Sequence, residues 1–348
     1  MTIALTNFAA RRHPPQGIST HKRTPNLRRR TACALSVAAL VSLLAPSSAW
    51  GQMPNLVDVS AQYVPSTTLD HPKPLKAQIA TYTANLNVPL RLGEKTFLFP
   101  GLAYRSDAIS YSDRPPGFVD LRAFHSLEVP LLFVQLLPNG WSFSLRASPG
   151  VAGDSHFFDT DLLRLSGSAV VSHTFSDRFA MGVGAMGTYM FGSLLPLPAV
   201  RIDWKPVDGL RLEAFAPAFV NLKYTFGDRV EIGARADFSG AFYGVRDDRV
   251  RNAWPCRAGA DDPATPMNEA QANPKQCVDH VAYSVGAAGG ILGVRIVSSL
   301  WVTAFAGHTF FRRFERQNKD NDTLEEGEQD LPNMFIFRTG LAWRIPHS

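Results

Sequence analysis

From residue 52 onward no apolar run reaches the roughly 18 residues of a membrane-spanning helix, and helical periodicity is weak. Apolar and polar residues alternate instead. Over residues 229–239, Val230, Ile232, Ala234, Ala236 and Phe238 fall on one face, against Arg229, Glu231, Gly233, Arg235, Asp237 and Ser239. Over residues 200–205, Val200, Ile202 and Trp204 oppose Arg201, Asp203 and Lys205, and over 141–148, Trp141, Phe143, Leu145 and Ala147 oppose Ser142, Ser144, Arg146 and Ser148. Successive side chains of a strand point to opposite faces, so each stretch is a strand with one apolar side and one polar or small side.

The connections alternate as well. Turn-like joins at Gly93-Glu94, Pro138-Asn139-Gly140, Ser176-Asp177-Arg178, Val207-Asp208-Gly209, Gly227-Asp228 and Ser298-Ser299 are interleaved with longer joins near 65–75, 107–122, 151–160, 192–196, 216–218, 244–279 and 314–331. Asn-Gly and Asp-Gly pairs suit tight hairpins because both residues tolerate positive φ. Short turns at one end and long loops at the other are the asymmetry of bacterial outer-membrane barrels. The division predicts a closed, all-β, antiparallel transmembrane barrel of 14 strands. Twelve is the alternative, because the pair 210–216 and 219–226 is short and interrupted by Pro217. Of six tryptophans, Trp50 and Trp254 fall outside the strands. Trp141, Trp204, Trp301 and Trp343 lie near short turns or the end of the last strand, where they predict one aromatic girdle at the membrane interface. The competing reading is core tryptophan in a soluble β-sandwich, which needs no confinement of long loops to one end.

The first 51 residues read as a cleaved signal peptide, leaving 52–348 as one barrel domain. A basic stretch ends at Arg28-Arg29-Arg30, an apolar stretch covers residues 32–45, and Ala49 and Gly51 are small residues at positions −3 and −1 of a cleavage site. The alternative, an anchoring helix, needs roughly 20 apolar residues. The leader also explains the charge. It holds seven basic residues and no acid, so the formal +5 of the whole chain becomes −2 without it, and the basic balance gives no argument for a nucleic-acid partner. Without Cys33 of the leader, Cys256 and Cys277 remain, two cysteines in an exported chain, which predicts one disulfide across a loop.

The chain's end, Arg338-Thr339-Gly340-Leu341-Ala342-Trp343-Arg344-Ile345, resembles the terminal β-signal of outer-membrane proteins, with Arg338, Gly340, Trp343 and Ile345 in its four defined positions and Pro346-His347-Ser348 added beyond it. That resemblance implies recognition by the barrel assembly machinery. The segment Leu195-Pro196-Leu197-Pro198-Ala199-Val200-Arg201-Ile202-Asp203-Trp204-Lys205-Pro206 is similar to one in a family of uncharacterised bacterial outer-membrane barrels, and the similarity extends over most of 56–345. The family brings no established activity with it.

The polar constellation is the inward face of strands near 200–240: Arg201, Asp203, Lys205, Arg211, Glu213, Asn221, Lys223, Glu231, Arg235 and Asp237. Opposite charges on adjacent strands can pair across the wall. The mixture of signs favours a self-neutralising ladder over a strongly selective pore lining. Enzyme chemistry has little to stand on. His173 beside Ser172 and His308 beside Thr309 sit in no hydrolase motif. Asn318-Lys319-Asp320-Asn321-Asp322 lacks the glycine and the terminal glutamate of a calcium loop, and no cofactor or metal is expected. The sequence thus points to a non-enzymatic outer-membrane barrel in contact with outer-membrane lipid, a porin-like channel for small solutes. The alternatives are a closed-lumen barrel acting through its loops and, third, a lipid hydrolase.

Overall fold

The computed structural model describes residues 54–71, 73–112, 123–154, 162–190, 193–246, 278–318 and 320–344. Among these residues the chain forms 14 antiparallel strands that close on themselves. They are β1 (Val57–His71), β2 (Lys73–Asn87, continued at Leu90–Arg91), β3 (Thr96–Ser112), β4 (Ala123–Glu128 and Leu131–Leu136), β5 (Trp141–Gly153), β6 (Leu163–Ser176) and β7 (Phe179–Met190). The second half holds β8 (Ser193–Trp204), β9 (Leu210–Ala216), β10 (Phe219–Phe226), β11 (Val230–Gly244), β12 (His280–Val297), β13 (Leu300–Gln317) and β14 (Thr323–Asp330 and Phe335–Trp343). The short β9–β10 pair is present, in register from Leu210↔Tyr224 to Phe215↔Phe219, which decides for 14 strands against 12.

Each strand pairs with its neighbours in sequence, and β14 returns to β1 in the register Val57↔Trp343 to Tyr63↔Phe337. Above that height β1 keeps only β2 as its partner among the described residues. Two prolines flank the end of the ladder, Pro65 in β1 and Pro332 in the interruption of β14, and neither has an N–H to donate. At the other end the turns are tight. Asn139 and Gly140 both take positive φ (56° and 78°), and a Cβ on Gly140 would stand 2.9 Å from the Thr174 carbonyl oxygen. Some joins expected to be long are strand. The β1–β2 ladder continues from Thr67↔Ala77 to His71↔Lys73, and residues 193–196 belong to β8, paired with β7 from Ser193↔Met190. Alternation weakens there in the sequence, while the backbone goes on pairing.

The wall sorts its side chains by parity. Val59, Tyr63, Leu145, Leu165, Leu222, Ile232, Phe238, Phe337 and Leu341 lie exposed on the outside. So large an exposed apolar surface has one fitting solvent, lipid. Inside lie Gln62, Asp107, Ser126, Ser148, Asn221 and Asp237, all buried. Residues 1–51, read from the sequence as a leader, and Cys256, Cys277 and Ile345 fall outside the described residues.

Phe337 faces outward, six residues from Trp343 along β14 and hence about 15 Å up the tilted wall, near mid-membrane. Phe337→Arg should therefore destabilise the barrel by about 2–4 kcal/mol, whereas the natural Arg338, one residue on, keeps its charge inside. Urea unfolding of the barrel in lipid vesicles measures this. An unchanged midpoint would place Phe337 off the lipid face.

Candidate functional site

The lumen is built from the inward parity of each strand. On β8–β10, residues directly opposite each other carry like signs: Asp203↔Glu213 and Arg211↔Lys223. The attractive contacts run diagonally. Arg211 donates through Nε and Nη2 to the two oxygens of Asp203 (2.9 and 2.7 Å) and lies 3.2 Å from Glu213, which also meets Lys223 Nζ at 3.0 Å. Diagonal neighbours on a sheet are within reach of long side chains, so a row of like charges can still be neutralised. Arg201 is half-buried beside this row and engaged in it electrostatically. Asn221 is only 8% exposed, and its Oδ1 has no hydrogen-bond partner. Lys205 takes no place in the ladder. β8 ends at Trp204, and Lys205 is exposed in the turn, its N–H donating to the Arg178 carbonyl.

A second network spans the interior from β11 to β14. Asp237 accepts from Arg235 Nε and from Arg338 Nη2, both at 3.1 Å, and Arg338 also donates to Gln62 Oε1 at 2.8 Å. Arg344 Nη1 reaches both oxygens of Glu231 at 2.9 Å. β11 and β14 are separated by two strands, so these contacts cross lumen space rather than run along the wall. Arg338, Gly340 and Trp343, the described residues of the segment that resembles a β-signal, are thus split by parity. Trp343 is half exposed outside, Gly340 sits inward where a Cβ would meet the Val59 carbonyl at 2.8 Å, and Arg338 ties the lumen.

The girdle needs a correction. Trp141, Trp204 and Trp343 are exposed on the outside at the short-turn end (45–50%), but Trp301 is 8% exposed and faces the lumen, with the Arg344 guanidinium 4.4 Å from its ring centroid. Leu300 pairs with Trp343 and takes the outward place, so Trp301 pairs inward with Ala342. A register shift between Arg295 and Val297 at the preceding turn sets that parity. The outer belt gains His173 instead, wedged between Trp141 (ring centroids 4.7 Å) and Phe175 (4.6 Å).

At the long-loop end the two sides of the barrel touch. Gly153 at the end of β5 forms a parallel bridge with Gly244 at the end of β11, six strands away, and the Asp154 N–H donates to the Gly244 carbonyl (3.2 Å). Tyr243 donates its hydroxyl to Asp107 on β3 (2.5 Å), and its ring stacks on Phe124 of β4 at 4.9 Å. Asp107 also accepts from Thr81 (2.5 Å) and Arg105 (2.9 Å). Around them Ile79, Ile109, Val281, Tyr283, Val285 and Leu331 form a buried apolar cluster inside the tube. Below this seal, on the short-turn half, a cavity of about 500 Å³ is lined by Asp58, Asn221, Lys223, Glu231, Arg235, Asp237, Arg338 and Arg344 among others. Asp58, Gln62, Arg105, Asp107 and Tyr243 were legible in the sequence only as the polar parity of their strands; nothing there marked them as meeting.

The residues that raised the hydrolase reading are kept apart. His173 is outside among aromatic rings while Ser172 is buried, and His308 packs edge-on against Phe335 while Thr309 bonds to Met334. Adjacent residues of one strand point to opposite faces, so neither couple can share a proton. Asn318 Oδ1 accepts from the N–H groups of Asp320 and Asp322 (both 2.9 Å), a hydrogen-bonded turn. Among the described residues no three potential metal-ligating groups cluster.

Asp237 anchors two guanidiniums and is 8% exposed along its side chain, whereas Asp208, paired with Arg178 in a turn, is 97% exposed. Asp237→Ala should cost about 3 kcal/mol, since it leaves charges in the lumen uncompensated. Asp208→Ala should cost less than about 1 kcal/mol. Equal losses in urea titrations of the two variants would show that the lumen pairs carry no special weight.

In overall structure the chain is similar to the COG4313 outer membrane channel from Pseudomonas putida F1, 9% identical, with 86% of this chain and 99% of that one covered and a TM-score of 0.43. It is also similar to the P. putida toluene transporter TodX, 8% identical over 88% and 94% of the two chains at a TM-score of 0.35. A third likeness is to Acinetobacter baumannii OccAB4, 9% identical over 82% and 96% at 0.27. No curated protein matches the sequence. The model of a domain of unknown function, DUF6268, matches residues 48–259, well over half of the chain, and the protein is a member of that family.

Proposed function

We propose that the protein is a porin-like channel of the outer membrane, exported on its leader, whose lumen is shut at the long-loop end in the state described here. One observation carries the reading: a polar, charge-lined cavity lies under an apolar seal made by contacts across the tube. A barrel built only as a wall has no need of a cavity with so many ionic groups, since burying them costs free energy that apolar packing would not. A general open pore, in turn, would not bring Tyr243 onto Phe124 and Asp107. Opening requires the Phe124–Tyr243 stack to part, and the solutes admitted are small and polar, matched to the cavity beneath.

Conductance in planar bilayers tests this. The wild-type protein should show a low, intermittent conductance. The double variant Phe124→Ala/Tyr243→Ala, still migrating as a heat-modifiable barrel, should show a larger and steadier one. A large steady conductance of the wild type would remove the seal from the account. A folded double variant that conducts no more than the wild type would favour the closed, structural barrel.

A further inference from the structure

Strands β5, β6 and β7 contribute no residue to the cavity on the short-turn half, and their sequences contain neither Asp nor Glu. Their inward parity is rich in hydroxyls, with Ser142, Ser144 and Ser148 on β5 facing Ser172, Ser168 and Ser166 along β6. Arg146 stands in this field. It shares the inward parity of Ser148 (0% exposed) and not that of Leu145 (46%), yet its own side chain is exposed, so it opens on lumen water. Its one hydrogen bond among the described residues runs from Nε to Ser148 Oγ (3.3 Å), and no carboxylate pairs with it. The acid of the neighbouring β4, Glu128, is taken by Arg164.

The bond to Ser148 decides where the remaining donors lie. It leans the Arg146 side chain along β5, while β6 sets Ser168 directly opposite Arg146 and Ser166 directly opposite Ser148. Directly opposite side chains have Cβ atoms about 5 Å apart, close enough to share one ligand. No hydrogen bond engages the hydroxyl of Ser166 or Ser168, and neither oxygen is closed off from solvent. A guanidinium held at Nε keeps the edge formed by Nη1 and Nη2, which meets a carboxylate with two parallel bonds. The two hydroxyls can donate to the lone pairs that such bonds leave over. One positive charge among neutral donors matches a monoanion; a dianion would keep a charge uncompensated beside the wall.

The same row of the wall bears on what the anion is attached to. Across β4 to β8 the inward residues in register read Leu132, Arg146, Ser168, Met186 and Leu197. Leu197 is 37% exposed although it faces the interior. Apolar side chains flank the Arg–Ser pair on both sides, and an uncovered one in a water-facing lumen is a surface that methylene groups can cover. We infer that the inner wall at Arg146 is a binding site for a small aliphatic carboxylate, its oxygens on Arg146, Ser166 and Ser168 and its chain along Met186 and Leu197. The inference deepens the channel reading by naming a solute class, and it is tested without conductance, so either can fail alone.

The experiment is arginine labelling with phenylglyoxal on the full-length protein in a neutral detergent, mapped by mass spectrometry at constant ionic strength in chloride. Three probes are added in turn: propionate, its neutral isostere propionamide, and inorganic phosphate. Arg146 should be labelled in chloride alone. Propionate should slow that labelling saturably, phosphate at concentrations about tenfold higher or more, and propionamide not at all. Arg229, exposed in the turn before β11, should be labelled at one rate throughout. Ser166→Ala/Ser168→Ala breaks no hydrogen bond seen in the structure and should raise the protecting concentration of propionate about tenfold. An Arg146 that resists labelling in chloride would overturn the site, and so would labelling that propionate leaves unchanged or that propionamide slows equally. Phosphate protecting as well as propionate would overturn the carboxylate assignment. Protection indifferent to the double serine variant would remove the hydroxyls from the site.

Discussion

Hydrocarbon offers no hydrogen bonds, and this governs the fold. Each backbone N–H or C=O left unpaired in lipid costs several kcal/mol, so a chain that crosses as strands must bring its last strand back to its first. The Val57↔Trp343 to Tyr63↔Phe337 ladder does that. Once the sheet is a tube, the pleat does the rest, because one parity of every strand must face lipid and the other must face the interior. The apolar outer band and the polar lumen are therefore one decision, taken by the backbone.

The interior then poses a different problem. Fourteen strands enclose more space than a single layer of side chains fills, and ionic residues placed there need partners or water. The chain meets this in two ways. Near β8–β10, like charges stand opposite and the attraction runs diagonally, which lets a row of basic and acidic residues coexist on short strands. Between β11 and β14, long arginines reach across free space to Asp237 and Glu231. The first device is local to the sheet. The second joins strands that share no edge, and it stiffens the tube against ovalisation.

What could be read from the sequence follows from this division. Parity is local, so Ile232 outside and Glu231 inside were legible from alternation, as were the short turns from Asn139-Gly140 and Asp208-Gly209. The return of the last strand was legible from its position and apolar face. Trp301 was not, because proximity to a turn says nothing of side, and a register shift at that turn set the parity. Lys205 was misplaced because alternation does not show where a ladder stops. The seal was out of reach altogether. Phe124 and Tyr243 are separated by more than a hundred residues and six strands, and nothing in either segment alone marks them as partners.

The bridge between Gly153 and Gly244 has a geometric consequence. Barrel diameter grows with strand number only while the cross-section stays near circular. Here the perimeter is drawn together at one point, and it becomes two lobes that share a waist. Glycine at both positions makes the approach feasible, since a Cβ on Gly244 would collide with Leu162 at 2.1 Å and one on Gly153 would lie 3.1 Å from the Gly244 carbonyl. At that height the short β9–β10 pair has already ended, at Phe215↔Phe219 opposite Asp237, and the bore belongs to a smaller tube. Strand number, the usual index of how wide a barrel's passage is, measures in this protein only how much wall there is.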